Sequence, residues 1–267
     1  MSGFSADWLA LREPFDLRAR SPVVLDAVAG FFARQHSVRV IDLASGTGST
    51  LRALSPKLPP RQSWMLVDND PDLLAAATSK NQDVSVTVVA RDLSRDPEAA
   101  LEETVDLVAT SALLDLVSDA WLHRVATAVA ARAIPFYAAL SYDGRVVFTP
   151  ADPFDAAVVG AVNLHQRTDK GFGAALGPAA AGMVPSCFEA LGYSVMTGAS
   201  DWVMGPEDCE MQDELVDGWA RAARETGTLS GKDITGWLAR RCTTIADRRS
   251  SLVVGHLDFF AVPSATR

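Results

Sequence analysis

The chain has 267 residues, 48% of them hydrophobic and 21% charged, which is enough apolar material for one substantial core and the ordinary mix of a globular protein. Its net charge of −9 opposes nucleic acid as a partner, because phosphate binding needs a clustered basic surface. Basic residues come only in short pairs such as Arg240-Arg241 and Arg248-Arg249, which sit in an amphipathic helical pattern and are expected on a solvated face.

In chain order, residues 1–37 are expected to be mainly helical, with a break around Pro14 and a second helix capped by Ser21, with Pro22 at its first position. The opening stretch MSGFSADWLALREPFD carries acids and an arginine where a secretory segment would be uniformly apolar. No run approaches the roughly 18 apolar residues of a membrane span, so a cytoplasmic protein without a membrane partner is expected. From Val38 strands and helices alternate. Residues 38–43 read as a strand, and 64–68 (WMLVD) as a second. A helix begins at Asp70-Pro71 and ends near Asn81, and a third strand covers 84–92. A short helix begins at Asp96-Pro97, and a fourth strand starts near Val105. Ser118 caps a longer helix with the stripe Trp121, Val125, Ala128 and Val129.

A fifth strand starts near Ile134 and reaches Asp143-Gly144, a hairpin signal, with RVVFT as the return strand. An insertion over about 143–178 follows, with Phe154, Val158, Ala161 and His165 on one helical face, ending in the glycine-rich loop HQRTDKGFGAALGP. Then come a helix to Leu191, a strand over 193–199, two helices (about 209–225 and 234–247) and a last strand over 251–262. The second of those helices carries Ile234, Trp237, Leu238, Arg241 and Ile245 at helical spacing, and the pair suits a lid or a homodimer surface. Cys187, Cys209 and Cys242 form no C-x-x-C pair and only four histidines are scattered along the chain, so no metal site and buried free thiols are expected. Asp115, Asp143 and Asn163 assemble into a magnesium set only on paper.

The most informative stretch is VRVIDLASGTGSTL, residues 38–51: a buried strand holding an acid, then a glycine turn opening a helix. Glycines there let backbone N–H groups approach a ligand. Gly46 and Gly48 fill two positions of G-x-G-x-x-G, but the third is Leu51, which disfavours a pyrophosphate-bridged dinucleotide. The pattern Asp42, Ala44, Gly46, Gly48 resembles instead the D-x-[A/G]-x-G-x-G loop of the class I S-adenosylmethionine (SAM) methyltransferases. Asp68 ends the second strand 20 residues past Gly48, where a carboxylate can accept from both ribose hydroxyls. Asp92 matches the family's third-strand acid near the adenine, and VDLVATSALLDLV (105–117) resembles its fourth motif. The resemblance is specific over about 38–117 and topological to Val262.

It implies an α/β single domain over 1–267: a doubly wound, seven-stranded, mostly parallel sheet, its last strand antiparallel beside the sixth, with an N-terminal helical lid (1–37) and an insertion or lid after strand 5 (143–178). The implied reaction is SAM-dependent methylation of a small-molecule acceptor, leaving S-adenosyl-L-homocysteine. The implied cofactor residues are Arg20, Asp42, Ala44, Gly46, Gly48, Asp68, Asn69, Asp92, Leu93 and Ser111. Arg20 is preferred over Arg12 and Arg18 for the methionine carboxylate, the other reading being surface ion pairs with Glu13 or Asp16. His165 is the candidate general base, since an imidazole titrates near neutrality, with a hydrogen-bonded core histidine as the alternative. Tyr142 and Asp115 are further catalytic candidates, and Gln166, Arg167, Asp169 and Lys170 the candidate substrate loop. No N/D-P-P-[Y/F] motif follows Val108, which disfavours DNA bases and glutamine side chains as acceptors. Aminopropyl or carboxymethyl transfer on the same fold, and a catalytically silent SAM-binding partner protein, remain open.

Overall fold

Apolar, β-branched runs separated by capped helical segments fold into alternating strands and helices. In the computed structural model, which describes residues 5–80 and 84–264, the order is α1 (Ala6–Ala19), α2 (Pro22–Phe32), β1 (Ser37–Leu43), α3 (Ser49–Leu54), β2 (Arg61–Asp68), α4 (Pro71–Lys80), β3 (Ser85–Ala90), β4 (Leu107–Ser111), α5 (Asp119–Ala131), β5 (Phe136–Thr149), α6 (Asp155–His165), α7 (Ala180–Ala190), β6 (Tyr193–Ala199), β7 (Trp202–Met204), α8 (Cys209–Thr226), α9 (Gly231–Ala246) and β8 (Ser251–Pro263). The expected helix end near Asn81 lies outside the described residues.

The strands form one sheet in the order β3-β2-β1-β4-β5-β8-β6, with β7 also paired to β8. The first five are parallel, and β8 runs antiparallel to β5, β6 and β7. Each inner strand is buried on both faces, as crossover helices demand. In β1, Val38 and Val40 join the core beneath α2 and α3, while Ile41 and Leu43 face the core of α5 and α7. Helices α6, α8 and α9 extend the first of these cores through Val158, Val216, Trp237 and Ile245. The chain leaves β1 toward β2 on one side and β4 on the other. That reversal opens a crevice at the carboxyl ends of the strands, where ligands of open α/β sheets bind.

Several local expectations are corrected. Helix α1 runs through Pro14 without a break. The Arg12–Asp16 ion pair, one turn apart, spans the proline, and Trp202 Nε1 donates to Asp16 at 3.0 Å, so both halves are tied to the body. Ser21 does not cap α2 through its side chain; its backbone N–H donates to Asp258 at 2.9 Å. Asp143-Gly144 is not a hairpin: β5 continues to Thr149 along β8, with Tyr142 opposite His256 and Val146 opposite Val254. The extra residues bulge because β8 pairs along the whole length, while Gly144 takes a positive φ and Asp143 accepts from the Arg145 amide.

The sheet has eight strands rather than seven. The added strand, β7, is only three residues long and continues the edge of β6 along β8. Arg241 is not on a solvated face. It is buried, ion-paired with Asp155, and its guanidinium carbon lies 4.2 Å from the centre of the Phe148 ring. Of the three free thiols only Cys187 is buried. Among the described residues no helix is long and apolar enough to cross a membrane.

Candidate cofactor and acceptor site

The site begins at the end of β1, where a run of left-handed backbone turns the chain sharply. Ala44 (φ 54°), Gly46 (φ 51°) and Gly48 (φ 80°) all take positive φ. Glycine adopts that region freely, and Ala44 adopts it at a cost that clusters at functional turns. The Ser45 amide donates to the Val67 carbonyl at 3.0 Å, and the Gly46 amide to Asp68 Oδ2 at 2.8 Å. Asp68 Oδ1 accepts from the Asp70 amide at 3.0 Å, so one carboxylate organises the ends of both β1 and β2. Leu51 lies in the core, filling the space where a dinucleotide fold brings helix and strand together. Arg52 ties the turn to α1, donating to the Thr47 carbonyl at 2.6 Å and to Glu13. A methyl group at Gly46 would stand 3.2 Å from Leu9 Cδ1, so α1 closes directly over the turn.

Beneath α1 lies a cavity of about 570 Å³, within the usual range of small-molecule sites. Of the residues expected at the cofactor, Ala44, Gly46, Asp68, Asn69, Asp92, Leu93 and Ser111 line it. Ala112, at the end of β4, lines it too and again takes positive φ (50°). Asp92 accepts from the Ser94 amide and hydroxyl, which hold its carboxyl below the ordinary value. Gly48 shapes the turn without facing the cavity, and Asp42 and Arg20 lie behind the lining.

Arg20 is buried, donating to Tyr137 Oη at 3.0 Å and to Ser111 Oγ at 3.3 Å, so it reaches the cavity through Ser111. Asp42 is fully buried, and burial pushes its carboxyl up to about 8. The Arg20 charge and the nearby Thr50 hydroxyl offset that only in part. Neither Asp42 oxygen has a partner in hydrogen-bonding geometry among the described residues, and Arg20 Nε and Ser45 Oγ are likewise buried and unpaired. Buried polar atoms are rarely left unpaired, so this cluster under the glycine turn is suited to a polar ligand or an ordered water.

Of the residues expected to face the acceptor, Lys170 lines the cavity, together with Leu113, Leu116 and Phe172. The loop carrying Lys170 is pinned by a bridge between Ser118 and Ala175 and by an edge-to-face contact of Phe172 with Trp121. Asp169 is spent on the turn itself, accepting from the Gly171 and Gly173 amides, and Gln166 and Arg167 do not line the cavity. Asp115, Tyr142 and His165 also lie outside the lining. Asp115 is buried, which pushes its carboxyl up to about 6 against the lowering effect of its own amide, Arg12, the Tyr142 amide and Lys170. Tyr142 Oη donates to Asn163 at 2.7 Å, and Asn163 donates to the Gly144 carbonyl. His165 sits between Glu225 (Nε2 to Oε2, 2.8 Å) and Lys170 (Nδ1 to Nζ, 3.1 Å).

Sequence reasoning ranked Arg12 behind Arg20 and named Asp16 only as an ion-pair partner, yet both line the cavity while Arg20 lies behind the lining. Their four-residue spacing on a helix was a visible signal, since it predicts a facing ion pair. Glu225, which closes the far side of His165, carried no local signal because it comes from α8, 60 residues away.

Residues 40–135 match the family model described as a methyltransferase domain. No curated protein matches the sequence. Among solved structures, the chain is similar to the YcgJ protein of Bacillus subtilis (15% identity, TM-score 0.49, covering 91% of this chain and 99% of that one). It is similar also to a SAM-dependent methyltransferase of Geobacter sulfurreducens solved with S-adenosyl-L-homocysteine (15% identity, TM-score 0.47, 97% and 99% covered). A third likeness is a SAM-dependent methyltransferase of Thiobacillus denitrificans, again with S-adenosyl-L-homocysteine (14% identity, TM-score 0.45, 97% and 99% covered). The family match spans the glycine turn, Asp68, Asp92 and the end of β4, so over residues 40–135 the chain is similar to a methyltransferase domain.

Proposed function

We propose that this protein methylates a small-molecule acceptor with SAM in the cytoplasm. The observation that carries the reading is the joint between Asp68 and Gly46: an acid at the end of β2 fixes the glycine turn at the end of β1, and both face one cavity. Leu51 in the core favours a ligand without a pyrophosphate. We assign the ribose to Asp68 and the adenine to the segment of Asp92 and Leu93. The methionine end belongs to the turn of residues 44–47 and to Ser111, with Arg20 behind Ser111 and Asp42 beneath the turn as the buried charges that balance a zwitterion. The unpaired atoms of Asp42, Arg20 and Ser45 fit such a group.

SAM supplies an electrophilic methyl group, and the protein supplies position. In-line displacement gains most from holding the two reactants together and excluding water. Here α1 and the 166–176 loop both line the crevice, through Leu9 and Phe172. The three free cysteines accord with a reducing compartment.

Calorimetric titration with SAM, S-adenosyl-L-homocysteine and NADH tests the reading. Micromolar binding of the first two and none of the third supports it; binding of NADH alone overturns it.

A further inference from the structure

One amine organises the Phe172 side of the cavity. Lys170 lines the cavity, and its Nζ lies 3.1 Å from His165 Nδ1 and 3.1 Å from Thr168 Oγ1. A neutral lysine amine has two N–H groups and one lone pair. With both N–H groups engaged by His165 and Thr168, the lone pair is the part left for the cavity. The acceptance at Nδ1 places the imidazole proton on Nε2, which donates to Glu225 at 2.8 Å. Glu225 in turn is largely open to solvent, its side chain 66% exposed against 22% for His165. The chain of groups therefore runs from the cavity to bulk water across three elements: the 166–176 loop, α6 and α8.

We propose that Lys170 is the base that takes the acceptor's proton, that His165 and Glu225 carry it out to solvent, and that the acceptor is an apolar molecule with a phenolic or enolic hydroxyl. This deepens the methyltransferase reading and rests on it. The proton balance is complete within these residues. The hydroxyl proton passes to the Lys170 lone pair, one proton of the resulting ammonium passes to His165 Nδ1, and the Nε2 proton leaves through Glu225 to water. The acceptor oxygen keeps the electron pair of its O–H bond and becomes the nucleophile.

The chemistry of the walls selects the acceptor class. Leu9, Leu113, Leu116 and Phe172 offer apolar contact suited to a ring. Partial burial lowers the Lys170 amine below its ordinary 10.5, with Glu225 and Asp115 opposing the shift. A phenol, near 10, is then matched to the amine, whereas an aliphatic alcohol, close to water at about 15.7, is not. The charged groups acting on Lys170 are Asp115 after β4 and Glu225 on α8; Arg12 on α1 acts in turn on Asp115.

The test is spectroscopic and needs no turnover. The protein saturated with S-adenosyl-L-homocysteine is titrated with 4-nitrophenol across pH, and the phenolate absorbance of the bound probe is read. The wild type should bind the probe and lower its ionisation midpoint by about one pH unit or more, the tenfold effect of a facing ammonium. Lys170→Met should bind the probe with its midpoint unshifted, and Glu225→Gln should retain binding with a smaller shift. An unshifted midpoint in the wild type, an equal shift in Lys170→Met, an unaltered shift in Glu225→Gln, or no probe binding despite bound S-adenosyl-L-homocysteine overturns the proposal and leaves the methyltransferase reading standing. Absence of S-adenosyl-L-homocysteine binding overturns both.

Discussion

Asp68 Oδ2 accepts the Gly46 amide at 2.8 Å, so the acid that ends β2 also holds the turn that follows β1. The same carboxylate braces the start of the next helix through the Asp70 amide. Asp68→Ala is therefore expected to do two things at once. It removes the proposed ribose acceptor, which should weaken SAM by about 1–3 kcal/mol, and it frees two backbone amides, lowering the melting temperature. Calorimetry and thermal melting on the one variant separate these effects. Unchanged affinity would remove the ribose assignment even if the melting temperature falls.

Gly46 reports on the closure of α1. A Cβ there would meet Leu9 Cδ1 at 3.2 Å, and φ is +51°. The contact is with the end of a flexible side chain, but the backbone conformation is strained for any other residue. Gly46→Ala should thus cost about 1–2 kcal/mol in stability from the backbone alone. Adding Leu9→Ala should relieve the clash and leave that cost in place. Chemical denaturation of both variants gives the comparison, and full recovery in the double variant would mean the turn tolerates alanine.

Much of this was readable along the chain because the relevant signals are local. Asp42, Gly46 and Gly48 lie within seven residues, and the strand-helix alternation through β1 to α5 follows from periodicity and caps such as Ser118, which accepts from the Trp121 amide. What was not readable depends on long-range partners. Asp143-Gly144 carries the chemistry of a hairpin, yet β8, more than 100 residues later, pairs past it and turns it into a bulge. Pro14 breaks an isolated helix, yet Asp16, Arg12 and Trp202 hold the helix across it. Lys170 stood in a loop where every polar residue looked alike. Only packing separates it from Asp169, which is used up by the turn.

The Arg12–Asp16–Trp202 contact anchors α1 beside the cavity. Asp16 is 3% exposed and accepts from both Arg12 Nε and Trp202 Nε1 at 3.0 Å, while the Arg12 guanidinium carbon lies 5.2 Å from the centre of the Trp202 ring. Asp16→Ala leaves a buried guanidinium and an indole N–H unpaired, a loss of about 3–5 kcal/mol for a broken buried pair. Because α1 covers the cavity, hydrogen exchange over residues 6–19 should quicken more than over the sheet. Uniform acceleration across the whole chain would show that the pair supports global stability and not α1 in particular.

Asp42 makes the stability of the ligand-free protein depend on pH in an unusual direction. Its carboxyl ionises at about 8 when folded and near 3.8 when exposed, because burial disfavours the charge. Between those values the folded state binds more protons than the unfolded state, so stability falls as pH rises through that window. Asp115 acts in the same direction up to about 6, and Asp258 is also raised by burial. Carboxyls held below their ordinary value, such as Asp152 beside Arg240, act oppositely but only at lower pH. The wild type should accordingly lose on the order of a few kcal/mol between about pH 5 and pH 8. Asp42→Asn should remove most of that slope, leaving the part due to Asp115 and Asp258 and, below about pH 6.5, the opposing part of buried His256, whose imidazole burial lowers to about 3. Melting curves of both proteins across this range provide the check. Parallel slopes would mean that Asp42 is ionised in the folded protein, balanced by Arg20, and that the cluster under the glycine turn already carries its charge before any ligand arrives.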